Sequence, residues 1–283
     1  MKFAKILIAS TLAAAAFSAA PALAKDWATT GVIVAMEGAY APWNLTDSSG
    51  AIVGFEPDLM KVMCDHMKVK CTIVPSDFDT IIEGLNSGKF DAVMDSLSIT
   101  PERQKVIAFS IPYANTPAGF ETLKGSSLEN LPGTGTNLAL TGDPAKDKAA
   151  VDKFRDEFKG KTIGVQASTV YTKFLDDNFK DIATIREYDK TSERDLDVVN
   201  GRIDAGFDDG TAEGAAFAAP GNENLEYTGP QIGGGIWGPG QGVGLRQSDA
   251  DLKALFDDAI KAALADGTIK KLSEKWFKID VSP

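Results

Sequence analysis

The chain has 283 residues, with 29 lysines and arginines against 40 aspartates and glutamates, a net charge of −11 and one histidine. So acidic a chain does not hold a nucleic-acid backbone, because that binding needs cations that displace counterions. With one histidine and two cysteines it also lacks the Cys/His array a metal site needs.

Residues 1–24 read as a secretory leader. Lys2 and Lys5 give a positive start, Ile6 to Ala20 is almost wholly apolar or small, and Ala22-Leu23-Ala24 is a small-x-small cleavage site. Cleavage after Ala24 would deliver the rest of the chain to the periplasm. No later stretch approaches the ~18 apolar residues of a membrane span. Next, Val32 to Met36 is an apolar strand that breaks into Glu37-Gly38-Ala39-Tyr40. Cys64 and Cys71 follow, close together and alone, and in an oxidising compartment such a pair forms a disulfide. His66 lies between them with no further ligands, so no metal is expected.

Phe78 to Asn86 has the spacing of a helix, with Phe78, Ile81, Ile82 and Leu85 on one face and Gly88 closing it. Gly88 to Asp95 then reads as a strand ending in an acid, followed by Ser96-Leu97-Ser98. In Thr100-Pro101-Glu102-Arg103, Thr100 suits a helix N-cap and Pro101 the first helical position. Arg103 falls in the first turn, where a cation opposes the helix dipole. An arginine placed against that preference suits a bidentate pair with a carboxylate ligand. Gly125 to Asp152 is rich in Gly, Pro, Asn and Asp and reads as a surface excursion.

The first pattern then recurs. Thr162 to Gln166 is a strand breaking into Ala167-Ser168-Thr169. Val170 to Phe179 and Asp195 to Val199 read as helices, and Gly201 to Asp208 repeats the Gly-to-acid strand of Gly88 to Asp95. Gly233 to Gly240 reads as a loop without the spacing of a phosphate cradle. A strand at Gly242 to Arg246, an amphipathic helix at Asp251 to Ala265 and a helix from Ile269 to Phe277 complete the chain. Strands alternating with helices, twice over, predict an α/β protein of two parallel-rich sheets flanked by helices. The tail returns to the first unit, which gives a discontinuous first lobe, 25–116 with 233–283, and a second lobe, 117–232. Two hinge crossovers are expected near 114–119 and 228–235. Ligands bind beyond the carboxyl ends of such strands, here Glu37 to Tyr40, Asp95 to Ser98, Gln166 to Thr169 and Asp208-Asp209.

The segments GAYAPWNL, SDFDTIIEGLNSGKFDA, DSLSITPERQKVIAFSIPY, MCDHMKVKC, GVQAST and GRIDAGFDDG, with the tail from GVGLR to KWF, resemble the polar amino-acid-binding proteins of bacterial ABC importers. The likeness runs in order over nearly the whole chain after the leader. It implies the two-lobed type II periplasmic-binding-protein fold, a monomer without cofactor, and an inner-membrane permease as partner. The remote alternative is a periplasmic enzyme on the same fold, but the chain supplies no nucleophile–base pair for it. It also implies roles. Arg103, with Ser98 and Thr169, would clamp an α-carboxylate, and Asp209 would pair with the α-ammonium. Ser96 matches a further hydrogen-bonding position, while Gln166 and Ser168 are candidates by their place at the strand end alone. Tyr40 and Phe78 would sandwich the ligand side chain, and Glu37 would face a distal cation. Cys64 and Cys71 match the family's disulfide.

Asp95 stands where the lysine/arginine/ornithine binders carry a small hydroxyl, which makes the pocket more acidic. The segment LPGTGTNLALTGD and the run SIPYA resemble the octopine-binding branch instead. With Glu37 and Asp95 free for a distal positive group, the expected ligand is a basic amino acid, arginine or a close analogue. The alternative is an opine, whose additional carboxylate would be repelled by Asp209 in a closed cleft.

Overall fold

A computed structural model describes residues 25–283; the expected leader and its cleavage site lie outside the described residues. One sheet has the strand order Cys71–Pro75, Val32–Met36, Ala92–Val93, Gly244–Leu245, Ala108–Phe109. Val32–Met36 runs parallel to both neighbours, whereas Gly244–Leu245 is antiparallel to both of its own. Val32, Val34, Ala35 and Met36 are buried, on both faces of the strand, while Ile33 near its start is exposed. Val34 and Met36 pack with Leu59 and Met63 of the helix Phe55–Met67 and with Phe256 and Ile260 of the helix Ala250–Ala265. On the other face Ala35 joins Ile81, Leu85 and Phe109.

The second sheet is ordered Thr184–Tyr188, Thr162–Gln166, Ala205–Asp209, Ala118–Leu123, Leu225–Gly234, Asn137–Leu140. Thr162–Gln166 is parallel to both its neighbours, and Ala118–Leu123 is antiparallel to both of its own. Its core is aromatic: Phe120, Phe158, Phe174, Phe179, Phe207 and Trp237 are buried together. Phe174 stacks on Phe207 with centroids 5.2 Å apart.

Two sequence readings are corrected here. The segment 125–152 is no mere surface excursion. It contributes the edge strand Asn137–Leu140, parallel to Gln231–Gly234, and most of the helix Pro144–Arg155. Leu131, Leu140 and Val151 bury in the second core, and its polar residues had hidden this sparse apolar set. Gly233 and Gly234 likewise end a strand, where a loop was expected. A Cβ on Gly234 would sit 2.7 Å from the Leu140 carbonyl oxygen, so the close pairing needs glycine there. Beyond it Gly235–Trp237 is a single 3₁₀ turn that buries Trp237.

Two segments join the sheets, one between Phe109 and Ala118, the other between Gly234 and Gly244. They touch at Gln241, which forms antiparallel bridges with Ser98 and Ala114 and donates Nε2 to the Thr116 hydroxyl at 2.8 Å. Cys64 and Cys71 are joined in a disulfide with Cα atoms 6.1 Å apart. Among the described residues, no helix is long and apolar enough to cross a membrane.

Candidate functional site

The carboxyl ends of the strands in the two sheets face each other across a small cavity. From the first sheet's side it is lined by Glu37, Tyr40, Phe78, Asp95, Ser96, Ser98 and Arg103, and from the second by Gln166, Thr169, Val170 and Tyr171. The space between them is about 20 Å³, enough for roughly one water.

Arg103 is set by its local sequence. Thr100 caps the short helix Pro101–Gln104, its hydroxyl accepting from the Arg103 backbone N–H at 3.2 Å. The guanidinium donates Nη1 to the Ser98 carbonyl oxygen at 3.1 Å and lies 5.7 Å from the centroid of the Phe78 ring. It forms no ion pair among the described residues. Burial pushes its pKa down to about 10, which still leaves it charged.

Three acids stand behind the same wall. Glu37 follows the strand Val32–Met36 and accepts from Gln166 Nε2 at 3.0 Å, a bond across the cleft. Burial raises its carboxyl to about 7, against the lowering effect of the Gln166 bond. Asp95 accepts on Oδ1 from the Glu37 backbone N–H at 3.2 Å and from Asn44 Nδ2 at 2.8 Å. Burial, then the neighbouring Glu56 and Glu37, push its carboxyl well up. Glu56, fully buried in the first turn of its helix, accepts from the Ser96 N–H and Asn44 Nδ2, both at 2.7 Å, and from the Tyr113 hydroxyl. It braces the Asp95-Ser96 turn, where Ser96 has φ 45°. Asp95 Oδ2 and Ser96 Oγ are buried with no hydrogen-bond partner among the described residues. Buried polar atoms left this way are costly unless a further polar group meets them.

The structure thus gathers Glu37, Tyr40, Phe78, Asp95, Ser96, Ser98, Arg103, Gln166 and Thr169 around one cavity. Ser168 and Asp209 are not part of its wall. Ser168 occupies a left-handed turn, φ 62°, between the strand Thr162–Gln166 and the helix Val170–Phe179. Asp209 is fully buried as the N-cap of the helix Gly210–Phe217. It accepts from the N–H groups of Thr211 at 2.8 Å and Ala212 at 3.2 Å, and from the hydroxyls of Thr116 and Thr211. Sequence reasoning missed Val170 and Tyr171. The available signal was the helix start at Thr169, whose next two residues share its end of the strand. Glu56 was missed too; an acid beside Phe55 and Pro57 gave no sign that it lay buried beneath the site.

The sequence of this chain matches the model of the bacterial extracellular solute-binding proteins, family 3, over residues 32–279. It is 41% identical to the octopine-binding periplasmic protein of Rhizobium meliloti, covering 89% of this chain and 92% of that protein. It is 30% identical to the L-arginine-binding protein of Pseudomonas aeruginosa, over 88% and 89% of the two chains. In three dimensions it superposes on an ancestral arginine-binding protein bound to arginine with a TM-score of 0.74 at 27% identity, over 87% of this chain and 98% of the other. Sequence, fold and the position of the cavity agree: the chain belongs to family 3 of the bacterial extracellular solute-binding proteins.

Proposed function

We propose that this protein is the periplasmic receptor of an ABC importer and takes up arginine between its two lobes without converting it. The observation that carries the reading is one cavity faced both by Arg103, which forms no ion pair among the described residues, and by Glu37 and Asp95. Arginine brings the complement: an α-carboxylate for Arg103, and a second cation for the acids. Tyr40 and Phe78 offer aromatic faces to a flat guanidinium, worth about 0.5–2 kcal/mol. The unpartnered Asp95 Oδ2 and Ser96 Oγ supply acceptors for its N–H groups.

Binding pockets for such ligands measure roughly 300–1,000 Å³, so a cavity of about 20 Å³ must widen to admit one. The two joining segments that meet at Gln241 suit a hinge. On this reading the first lobe is 25–116 with the returning tail, and the second begins at 117. The second crossover lies later than the expected 228–235: the strand Leu225–Gly234 and Trp237 belong to the second sheet and core, so the return falls between Trp237 and Gly244. The leader is cleaved after Ala24, the protein works as a monomer, and the closed form is what the permease engages.

Octopine is the second reading, and two observations favour it. A 41% identical relative is named for it. The objection from Asp209 also weakens, because that carboxylate is capped by Thr116 and the helix N–H groups and stands outside the cavity wall. Octopine is an arginine derivative, so the guanidinium argument covers both ligands. Mass spectrometry of ligand released by denaturing protein taken from the periplasm tests the shared claim. A guanidinium compound is expected; a neutral amino acid as the sole ligand would overturn it.

A further inference from the structure

Tyr40 does more than line the cavity. It lies on the short strand Ala39–Tyr40 of the first lobe, and its hydroxyl donates across the cleft to Asp208 Oδ1 at 2.6 Å. Asp208 is the penultimate residue of the strand Ala205–Asp209 of the second lobe and is almost fully buried. Its Oδ1 also accepts from the Asp209 backbone N–H at 2.7 Å, while Oδ2 is paired with Arg194 Nη1.

Arg194, on the helix Thr191–Val199, is itself 1% exposed. Its guanidinium is fixed from several sides. Nη2 reaches Asp195 at 2.6 Å, Nη1 donates to the Phe207 carbonyl oxygen at 3.2 Å, and Nε lies 3.3 Å from Glu121. The backbone makes room for this cluster. Gly164 and Gly206 are register partners on adjacent strands. A Cβ on Gly164 would come within 2.8 Å of Arg194 Cγ, and one on Gly206 within 2.8 Å of Glu121 Cγ. Both would force the charged side chains out of place. A buried arginine in a glycine cradle, with one of its acids aimed at the other lobe, is an expensive arrangement for stability alone.

We infer that Arg194 is a positioning residue for lobe closure: it fixes Asp208 so that Asp208 receives the Tyr40 hydroxyl, and this bond latches the closed cleft. The ligand then leaves only when the latch opens. The inference rests on the two-lobed clamp reading and is indifferent to which guanidinium ligand is bound.

Stopped-flow displacement tests it, with L-arginine and octopine as probes. Tyr40→Phe keeps the ring and removes only the hydroxyl, so the off-rate is expected to rise about tenfold, the scale of one hydrogen bond to a charged group. Asp208→Asn is expected to raise it less, and the double variant to match Tyr40→Phe within about twofold, since coupled partners do not add. Arg194→Lys keeps the charge but loses the fork, and should speed release in wild type and not in Tyr40→Phe. A purely structural Arg194 would lower the melting temperature and leave the off-rate unchanged. Should Arg194→Lys fail to fold, Tyr40→Phe and Asp208→Asn decide. An unchanged off-rate in Tyr40→Phe, or independent effects in the double variant, overturns the latch. If neither probe binds wild type, the ligand reading fails separately. Spin-label distances between Lys89→Cys and Glu187→Cys then decide, a smaller closed fraction in Tyr40→Phe supporting the latch and identical distributions overturning it.

Discussion

Arg103 and Glu37 bring opposite charges to one cavity, and each has a measurable signature. For Arg103 the decisive fact is that, among the described residues, its guanidinium donates to the Ser98 carbonyl and lies over the Phe78 ring but forms no ion pair. An α-carboxylate gives it a full charge-assisted partner in a site with little water. Removing one member of such a pair costs about 3–5 kcal/mol, so Arg103→Ala should lose about two to four decades of affinity in calorimetry; a loss under about tenfold would take Arg103 out of the site. Glu37 titrates near the working pH, its carboxyl raised by burial to about 7. The sign follows from the ligand. A cation needs Glu37 ionised, so binding is strongest above pH 7 and weakens as the carboxyl protonates below it. Between pH 8 and pH 6 the ionised fraction falls about tenfold, and the dissociation constant should rise by a similar factor. Glu37→Gln should flatten that dependence; a wild-type affinity constant over this range would contradict it. Arg103 was legible in the sequence because Thr100 and Pro101 fix a helix start and place an arginine against the dipole. Glu56 was not, because nothing local distinguishes a buried acid that holds up a turn 40 residues away from an exposed one in a first helical turn.

Helices and strands with a strong apolar period were readable nearly to the residue. Val170–Phe179 has the bounds that its spacing predicts, and Ala250–Ala265 differs by one residue at its start. Elements whose apolar residues are few, or are set among turn formers, were not. The first turn of Thr191–Val199 is the polar run Thr-Ser-Glu-Arg, and the strand Asn137–Leu140 lies among glycines and a proline. Both are fixed by neighbours distant in sequence, the strand by Gln231–Gly234. The disulfide belongs to this scale as well. Cys71 opens the strand Cys71–Pro75 and pairs in register with Val32, at the opposite end of the sheet from Glu37. It therefore ties a helix to a strand far from the cavity, and the loop-entropy account gives it roughly 2–3 kcal/mol. Reduction should lower the melting temperature and leave ligand affinity within about twofold, because the bond sits at the far end of the sheet from the cavity. A tenfold loss of affinity on reduction would contradict that separation.

At the scale of the whole molecule, two sheets of similar plan are joined by two segments that meet at Gln241, and the ends of their strands enclose the cavity. The repeat was visible in the sequence as two strand-to-acid motifs, Gly88 to Asp95 and Gly201 to Asp208. What the repeat hides is how differently its two acids are used: Asp95 faces the cavity, while Asp208 is held by Arg194 and meets Tyr40. Strand-end position alone does not separate those roles, since they depend on which charged residue the rest of each lobe brings alongside. The account as a whole stands on a zwitterion with an additional cation filling a cavity of one cation and two acids. Calorimetric titration of the purified protein with arginine, lysine, ornithine, histidine, octopine and nopaline at pH 8 tests that most directly. The account predicts tightest binding by arginine, with octopine as the competitor, and with lysine and ornithine weaker for lack of a planar guanidinium. Tight binding of octopine or nopaline with no response to any free basic amino acid would contradict the choice of arginine, and no heat from any of the six would contradict the acidic-pocket argument itself.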